Sequence, residues 1–316
     1  MHWLHRAADM GHGEAQLQLA HSYERGREVT PDKAEALRWY RAAAEAGHPV
    51  AQRVLGAKYL AGDGVPRDND AALLWLERAA ARKEPGALHN LGLIYADGRG
   101  VPRDDARALA HFRAGDAHSV TLSTFQLARF HEEGRATAVD LNQAVDLYRK
   151  LAENGLDKAA LALGRLAGAG QLDGRVAPHR AVPWAVAALT AGDTAALTWL
   201  EQQAAARVRP AETALALHLL ATDPIRISEA AALLERAARA DDPRAQEELG
   251  QLYSSGTGVT QDYVTAHKWM NLAAALGRSG AAEAREVLSL LMTPEQIAEA
   301  QDAARQHLAA PQGPQN

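Results

Sequence analysis

The sequence predicts an all-α fold, a solenoid of stacked helix-turn-helix units, and three observations predict it. The first is a period. Asp32, Asp68, Asp104 and Asp140 recur every 36 residues, as do Gly26, Gly62, Gly98, Gly134 and Gly170, and Leu19, Leu55, Leu91, Leu127 and Leu163. Trp3, Trp39 and Trp75 keep that register and continue as His111 and Leu147, and a later copy repeats the internal spacings at Leu249, Gly250, Tyr253, Gly256, Asp262 and Trp269. Interlocked series at one period mark units that bury a core only by stacking on one another. The second observation is that leucine, a small residue and an aromatic recur at i, i+1 and i+4, which is one face of a helix. The third is composition: aromatic residues are 5% of the chain and alanine is abundant, which favours close-packed helices over sheet.

Each element follows in order. "WLHRAADMG" (3–11) matches the second helix of a unit whose first helix is absent, so this end is either bare or continued upstream of Met1. Full units follow at 12–47, 48–83, 84–118, 119–155 and 156–192. In each, a first helix ends on a glycine such as Gly62, where a left-handed C-cap suits glycine. An aspartate such as Asp68 then starts the second helix, where a carboxylate accepts from free N–H groups and complements the dipole. Pro31, Pro66 and Pro102 fix the approach. Residues 193–241 are too long for one unit and predict three helices near 194–206, 210–222 and 227–240, punctuated by Pro210, Pro224 and Ser228. A further repeat spans 242–277, and 278–310 closes the solenoid, with Thr293 as N-cap, Pro294 at N1 and Gln296 completing a capping box. Residues 1–310 read as a single solenoid and 311–316 as a disordered tail.

Bulk properties exclude several classes of function. A formal charge of −5 argues against a general nucleic-acid binder. The chain has no cysteine, which removes disulfides and thiolate metal sites and leaves the redox compartment open. No run approaches the roughly 18–20 apolar residues of a membrane span. The N-terminus carries no visible secretory signal, so the chain reads as cytoplasmic as written, or periplasmic or secreted if its start lies upstream.

Two stretches, "AQRVLGAKYLAGDGVPRDNDAALLWLERAA" (51–80) and "AQEELGQLYSSGTGVTQDYVTAHKWMNLAAALG" (245–277), resemble Sel-1-like repeats, an α/α-solenoid family related to tetratricopeptide repeats. They carry Ala, Leu-Gly, Tyr, Gly-x-Gly-Val, Asp, Trp and Ala-Ala in the family's order. The resemblance covers about two thirds of the chain and weakens at 156–192, where Ala167 replaces the tyrosine. It implies a right-handed superhelix of about seven repeats and a role in protein–protein binding, as a scaffold or adaptor. The alternative that it implies is a dedicated inhibitor or immunity-type partner of a single bacterial toxin or enzyme.

The repeat architecture accounts for most residues that look like sites. The glycines of 59–80 could suggest a phosphate loop, but they recur in nearly every unit and no Gly-Lys-Ser/Thr or Gly-x-Gly-x-x-Gly follows a strand, so they read as turns. His12, His48 and His118 read as residues at the starts of helices. His2 and His5 lie i, i+3 without a third ligand, and His131-Glu132-Glu133 lacks the second histidine of a zinc protease. Asp104-Asp105 and Asp241-Asp242 read as helix starts, and the tryptophans as core. No catalytic constellation, cofactor or metal site is expected, and the partner class is protein. On the first helices, positions 15, 19, 20 and 23 are expected to be buried and 14, 17, 21 and 24 to face outward. Carried along the period, the outward set gives His21, Glu24, Arg53, Leu60, His89, Leu93, Phe125, Arg129 and Glu132 as the protein-binding face. Phe125 with Arg129 is its strongest anchor, since aromatics and arginine dominate interface energetics.

Overall fold

The computed structural model describes residues 1–309, in which every regular element is a helix and no strand occurs. The expected tail at 311–316 lies outside the described residues. The chain divides into two compact units, the first Met1–Gly155 and the second beginning at Leu156, a boundary that falls between two of the expected repeats.

The first unit contains α1 (His2–Asp9), α2 (Gly13–Arg25), α3 (Lys33–Glu45), α4 (Pro49–Ala61), α5 (Asn69–Ala81), α6 (Pro85–Asp97), α7 (Asp105–Ala117), α8 (Thr121–Glu133) and α9 (Leu141–Glu153). α2–α3, α4–α5, α6–α7 and α8–α9 are tight antiparallel hairpins, and α3, α5 and α7 also pack on the first helix of the hairpin that follows each. α4 touches α6 and α6 touches α8, so the first helices line the inner side of this stack.

The recurring residues have direct structural causes. Gly26, Gly62, Gly98 and Gly134 cap their helices with φ between 66° and 73°, the left-handed region that L side chains avoid. Asp32, Asp68, Asp104 and Asp140 are N-caps whose carboxylates accept from backbone N–H groups two or three residues on. Their own N–H groups donate to the carbonyls of Tyr23, Tyr59, Tyr95 and His131, closing each turn at 2.8–3.1 Å. The second glycine of the turn has a separate cause: a Cβ on Gly100 would lie 2.3 Å from Asn69 Cβ, at the start of the preceding second helix. The glycine of Leu-Gly permits the hairpin crossing itself. A Cβ on Gly56 would lie 2.7 Å from Leu76 Cγ, and one on Gly92 2.4 Å from Phe112 Cε1. Between hairpins, the side chains of Gln16 and Gln52 donate to the carbonyls of Ala8 and Ala44, satisfying helix ends that would otherwise be buried unpaired.

The second unit contains α10 (Asp157–Gly168), α11 (Pro178–Thr190), α12 (Thr194–Ala205), α13 (Arg209–Thr222), α14 (Ile227–Arg239), α15 (Pro243–Ser255), α16 (Tyr263–Ala275), α17 (Ser279–Ser289) and α18 (Pro294–Ala309). The three helices expected in 193–241 are present, with a 3-10 turn at Pro224–Arg226. α12 is the supernumerary one, packing on α10, α11 and α13, while α13–α14 and α15–α16 are hairpins of the regular kind. α18 packs on α16. Its capping box forms as expected: Thr293 N donates to Gln296 Oε1 at 2.9 Å and Gln296 N to Thr293 Oγ1 at 3.3 Å.

Two local expectations are corrected, those at His118 and at Trp3, while a third at Gly170 holds. His12 and His48 do precede helices, but His118 closes α7 and Val120 caps α8, because the fourth hairpin starts two residues later than the histidine suggests. Gly170 closes α10 as expected, one residue beyond the C-cap Ala169: it is left-handed (φ 68°), its N–H donates to Ala167 O and that of Gln171 to Leu166 O, both at 2.8 Å. Trp39 and Trp269 are core residues, whereas Trp3 is 75% exposed.

Candidate functional site

The first helices of unit 1 carry the expected binding residues, and the structure separates them into two groups. Position 17 and its equivalents do not face outward. Leu17 and His89 are buried, because this position lies in the seam between successive first helices. His89 Nδ1 meets Ser123 Oγ at 3.3 Å, and its ring packs 5.9 Å from Phe112. Arg53 donates to Glu84 at 2.9 Å, and Glu84 in turn accepts from Ala87 N–H at the start of α6. Phe125 is half-buried with its ring 5.5 Å from Tyr148. These four side chains form the walls between units.

His21, Glu24, Leu60, Leu93, Arg129 and Glu132, at positions 21 and 24, keep accessible surface, whereas Ala96 at the same position is buried. His21 is half-buried against Tyr40, rings 5.6 Å apart, and Glu24 accepts from the Tyr40 hydroxyl at 2.6 Å and from Lys58 Nζ at 2.8 Å. Three repeats on, Tyr148 donates to Glu132 at 2.9 Å, the same tyrosine–glutamate pair. Arg129 bonds Glu133 at 2.9 Å. Between these polar ends lies an apolar groove of about 230 Å³ between α4 and α6, lined by Ala57, Leu60, Ala61, Asn90, Leu93, Ile94 and Arg99. Leu60 and Leu93 stand in it together. Sequence reasoning named these two leucines and missed Ala57, Ala61, Asn90, Ile94 and Arg99. The small residues at 57 and 61, one turn apart on the leucine's side of α4, were the available signal.

The polar rim is electrostatically fixed. Burial opposes the charge on both Glu24 and Lys58, but their mutual bond, with Tyr40 on one side and Asp63 on the other, outweighs it. Glu24 is held below the usual carboxylate range and Lys58 above the usual ammonium one. Burial, with the Glu24 carboxylate beside it, pushes the Tyr40 phenol well up, so it remains a donor. At the α7 end, hydrogen bonds from Arg103 and Arg135 hold Asp105 well below its ordinary value.

Four histidines of this unit, His21, His89, His111 and His131, have pKa values lowered chiefly by burial. A histidine held neutral in the fold takes up its proton at about 6.5 once unfolded. The stability it supports is therefore whole above that pH and is lost as the pH falls towards the lower folded values. Urea unfolding is expected to show unit 1 less stable at pH 5.5 than at pH 7.5. A His89→Gln/His131→Gln variant should show a flatter dependence; an unchanged slope would contradict the assignment.

Other places offer less. A cavity of about 590 Å³ at the turn before α5 is lined mostly by polar groups, Arg41, Arg67, Asn69 and Asp70 with the capping Asp68, beside Tyr59 and Pro66. Among the described residues no three His, Cys, Asp or Glu side chains converge as metal ligands, and no helix is long and apolar enough to cross a membrane.

Hairpins that follow one another in sequence order, most of them closed by a left-handed glycine and an aspartate cap, define an α/α-repeat protein. The profile of the Sel1 repeat matches residues 1–12, 13–48, 49–83, 85–115, 121–156, 224–242 and 243–277. The chain belongs to the Sel1 repeat family. No curated protein sequence matches it. Among solved structures, it is similar to c5321, a protective antigen present in uropathogenic Escherichia coli strains displaying an SLR fold. That likeness has 26% identity, covers 97% of this chain and 78% of that one, and has a TM-score of 0.53. A Sel1 repeat protein from Oxalobacter formigenes is 30% identical over 90% of this chain and 78% of its own, with a TM-score of 0.45. The immunity protein Pa5087 from Pseudomonas aeruginosa is 24% identical over 52% of this chain and 60% of its own, with a TM-score of 0.35, a likeness too partial to bear on function.

Proposed function

We propose that this chain is a non-catalytic scaffold or adaptor that holds another protein on the inner face of its first unit. The groove between α4 and α6 carries the reading. It is a ready-made socket for one apolar side chain, with Asn90 and Arg99 at its edge to orient the adjoining backbone or a polar group. Glu24, Lys58, Arg129 and Glu132 flank it with mixed charge, which suits a specific protein contact better than the uniformly basic groove of a nucleic-acid binder. Phe125, half-exposed beside Tyr148, extends the apolar surface towards Arg129.

The test compares proteins captured by the wild-type chain with those captured by Leu93→Glu and by Phe125→Ala/Arg129→Glu, each checked for an unchanged helical spectrum. A partner that binds this face is lost about tenfold or more with Leu93→Glu, as expected for truncating or charging a central anchor. Equal recovery by all three chains would place the interface elsewhere. One partner recovered at equal stoichiometry would favour a dedicated inhibitor, and several would favour an adaptor.

A further inference from the structure

We infer that the second unit carries a self-docking face, on which two copies of this chain associate about a two-fold axis, each inserting Ile225 into a socket on the other. The starting point is the turn between α13 and α14. In the regular turn after α4 the apolar residue points inward, and Val65 is 6% exposed. Between α13 and α14 the chain instead makes the 3-10 turn Pro224–Arg226, and its Ile225 is 93% exposed. A lone exposed apolar residue needs no explanation. What singles out Ile225 is the socket beside it.

α12 and α14 both pack on α13, and a cavity of about 390 Å³ lies between them. Leu215 and Leu233, both buried, form its floor, while the exposed Ala205 and Ala232 keep its mouth wide. The supernumerary α12 supplies one wall. Arg226, the residue after Ile225, lines the same cavity, so knob and socket lie side by side on one face.

The charges match in the same sense. Arg226 is already paired, bonding Glu201 at 2.8 Å and Glu229 at 2.7 Å. Arg236, about 15 Å further along α14 at the usual helical rise, also lines the cavity. Its Nε bonds Glu212, and its side chain remains 39% exposed. The knob carries the opposite sign, because Asp223 stands two residues before Ile225 and accepts from the Ile225 N–H through one carboxylate oxygen. Seating Ile225 in the socket of a second copy brings Asp223 towards Arg236 of that copy, and complementary charges of this kind fix the register of a contact.

A two-fold contact requires one patch that complements itself, residue i meeting j while j meets i. A neighbouring knob and socket meet that requirement. A partner that only filled the socket would leave Ile225 in water, whereas a second copy answers both halves. Residues 310–316, Ala-Pro-Gln-Gly-Pro-Gln-Asn, hold no large apolar side chain that could take the place of Ile225.

Sedimentation of the full chain from about 5 µM to about 500 µM, the range suited to a small transient interface, tests the inference. The wild type is expected to pass from monomer to dimer and no further. Ile225→Asp removes the knob and Ala232→Gln fills the socket, both at exposed positions, with the helical spectrum as the fold control. Each should weaken the dimer by about a hundredfold or more, because a two-fold contact counts each substitution twice. An equimolar mixture of the two variants restores one knob–socket contact of the two, so it should associate more tightly than either variant alone. A dimer that survives both substitutions, or assembly beyond a dimer, would overturn the inference. So would a wild type that stays monomeric throughout, which is the outcome if another polypeptide, or a further segment of this one, fills the socket.

Discussion

Gly164→Ala is expected to destabilise the second unit by about 2 kcal/mol, although alanine is the better helix former. In the middle of a helix the exchange favours alanine by about 1 kcal/mol. Against this, the new Cβ would lie 2.1 Å from the carbonyl oxygen of Trp184 and 2.6 Å from Ala188 Cβ, where α10 crosses α11. A backbone oxygen cannot rotate away, so the two helices must separate, and overpacking of this kind costs about 3 kcal/mol at the upper end of its usual range. The clash wins. Gly250→Ala should cost less, because its nearest obstacle is the flexible Met270 side chain at 2.9 Å. Urea unfolding of both variants measures the difference; a Gly164→Ala chain as stable as wild type would mean that this crossing is not tight.

Arg236→Ala is expected to cost about 2–3 kcal/mol. Arg236 Nε donates to Glu212 Oε1 at 2.7 Å, joining α14 to α13. The Glu212 side chain is only 5% exposed, so removing the arginine leaves a buried carboxylate without its counter-charge. Breaking a fully buried pair costs about 3–5 kcal/mol. The Arg236 side chain is 39% exposed, and solvent screening reduces the figure. The double variant Arg236→Ala/Glu212→Leu should recover most of the loss, since an apolar side chain has no charge to strand. If the double variant unfolds as readily as the single one, the defect lies in lost packing around Arg236 and not in the exposed charge.

What the sequence revealed, and what it hid, follows from the period. Glycines forced left-handed and aspartates bonded to N–H groups must recur with each turn, so Gly62 and Asp68 announced the helix ends directly. Leu163-Gly164 survived in the segment that the family profile leaves unmatched, because the α10–α11 crossing needs the glycine whatever surrounds it. Position 17 misled. A helical wheel puts it opposite the buried face of its own hairpin, but a solenoid has a second buried seam against the next unit, and Leu17 and His89 lie there. Charge pairs were invisible for another reason. Arg53–Glu84 and Glu247–Arg278 join equivalent positions, each pair 31 residues apart, with the signs exchanged. A search for recurring residue types passes over them.

The groove was hidden by the same logic. Its two walls, Ala57-Leu60-Ala61 and Asn90-Leu93-Ile94, are matched at an offset of 33 residues (57 to 90, 60 to 93, 61 to 94), one turn out of the 36-residue register. The period that exposes the repeat therefore conceals a surface that runs obliquely across it. Such a surface is free to differ from unit to unit, which is what a specific partner requires.

The central claim is that this oblique inner face of the first unit is where another protein is held. Hydrogen exchange of the chain alone and in complex with its captured partner tests it most directly. The prediction is slower exchange in the C-terminal halves of α4, α6 and α8, around Leu60, Leu93 and Arg129, with α3, α5, α7 and α9 unchanged. Protection confined to those second helices, or to the turns at Gly62, Gly98 and Gly134, would contradict it.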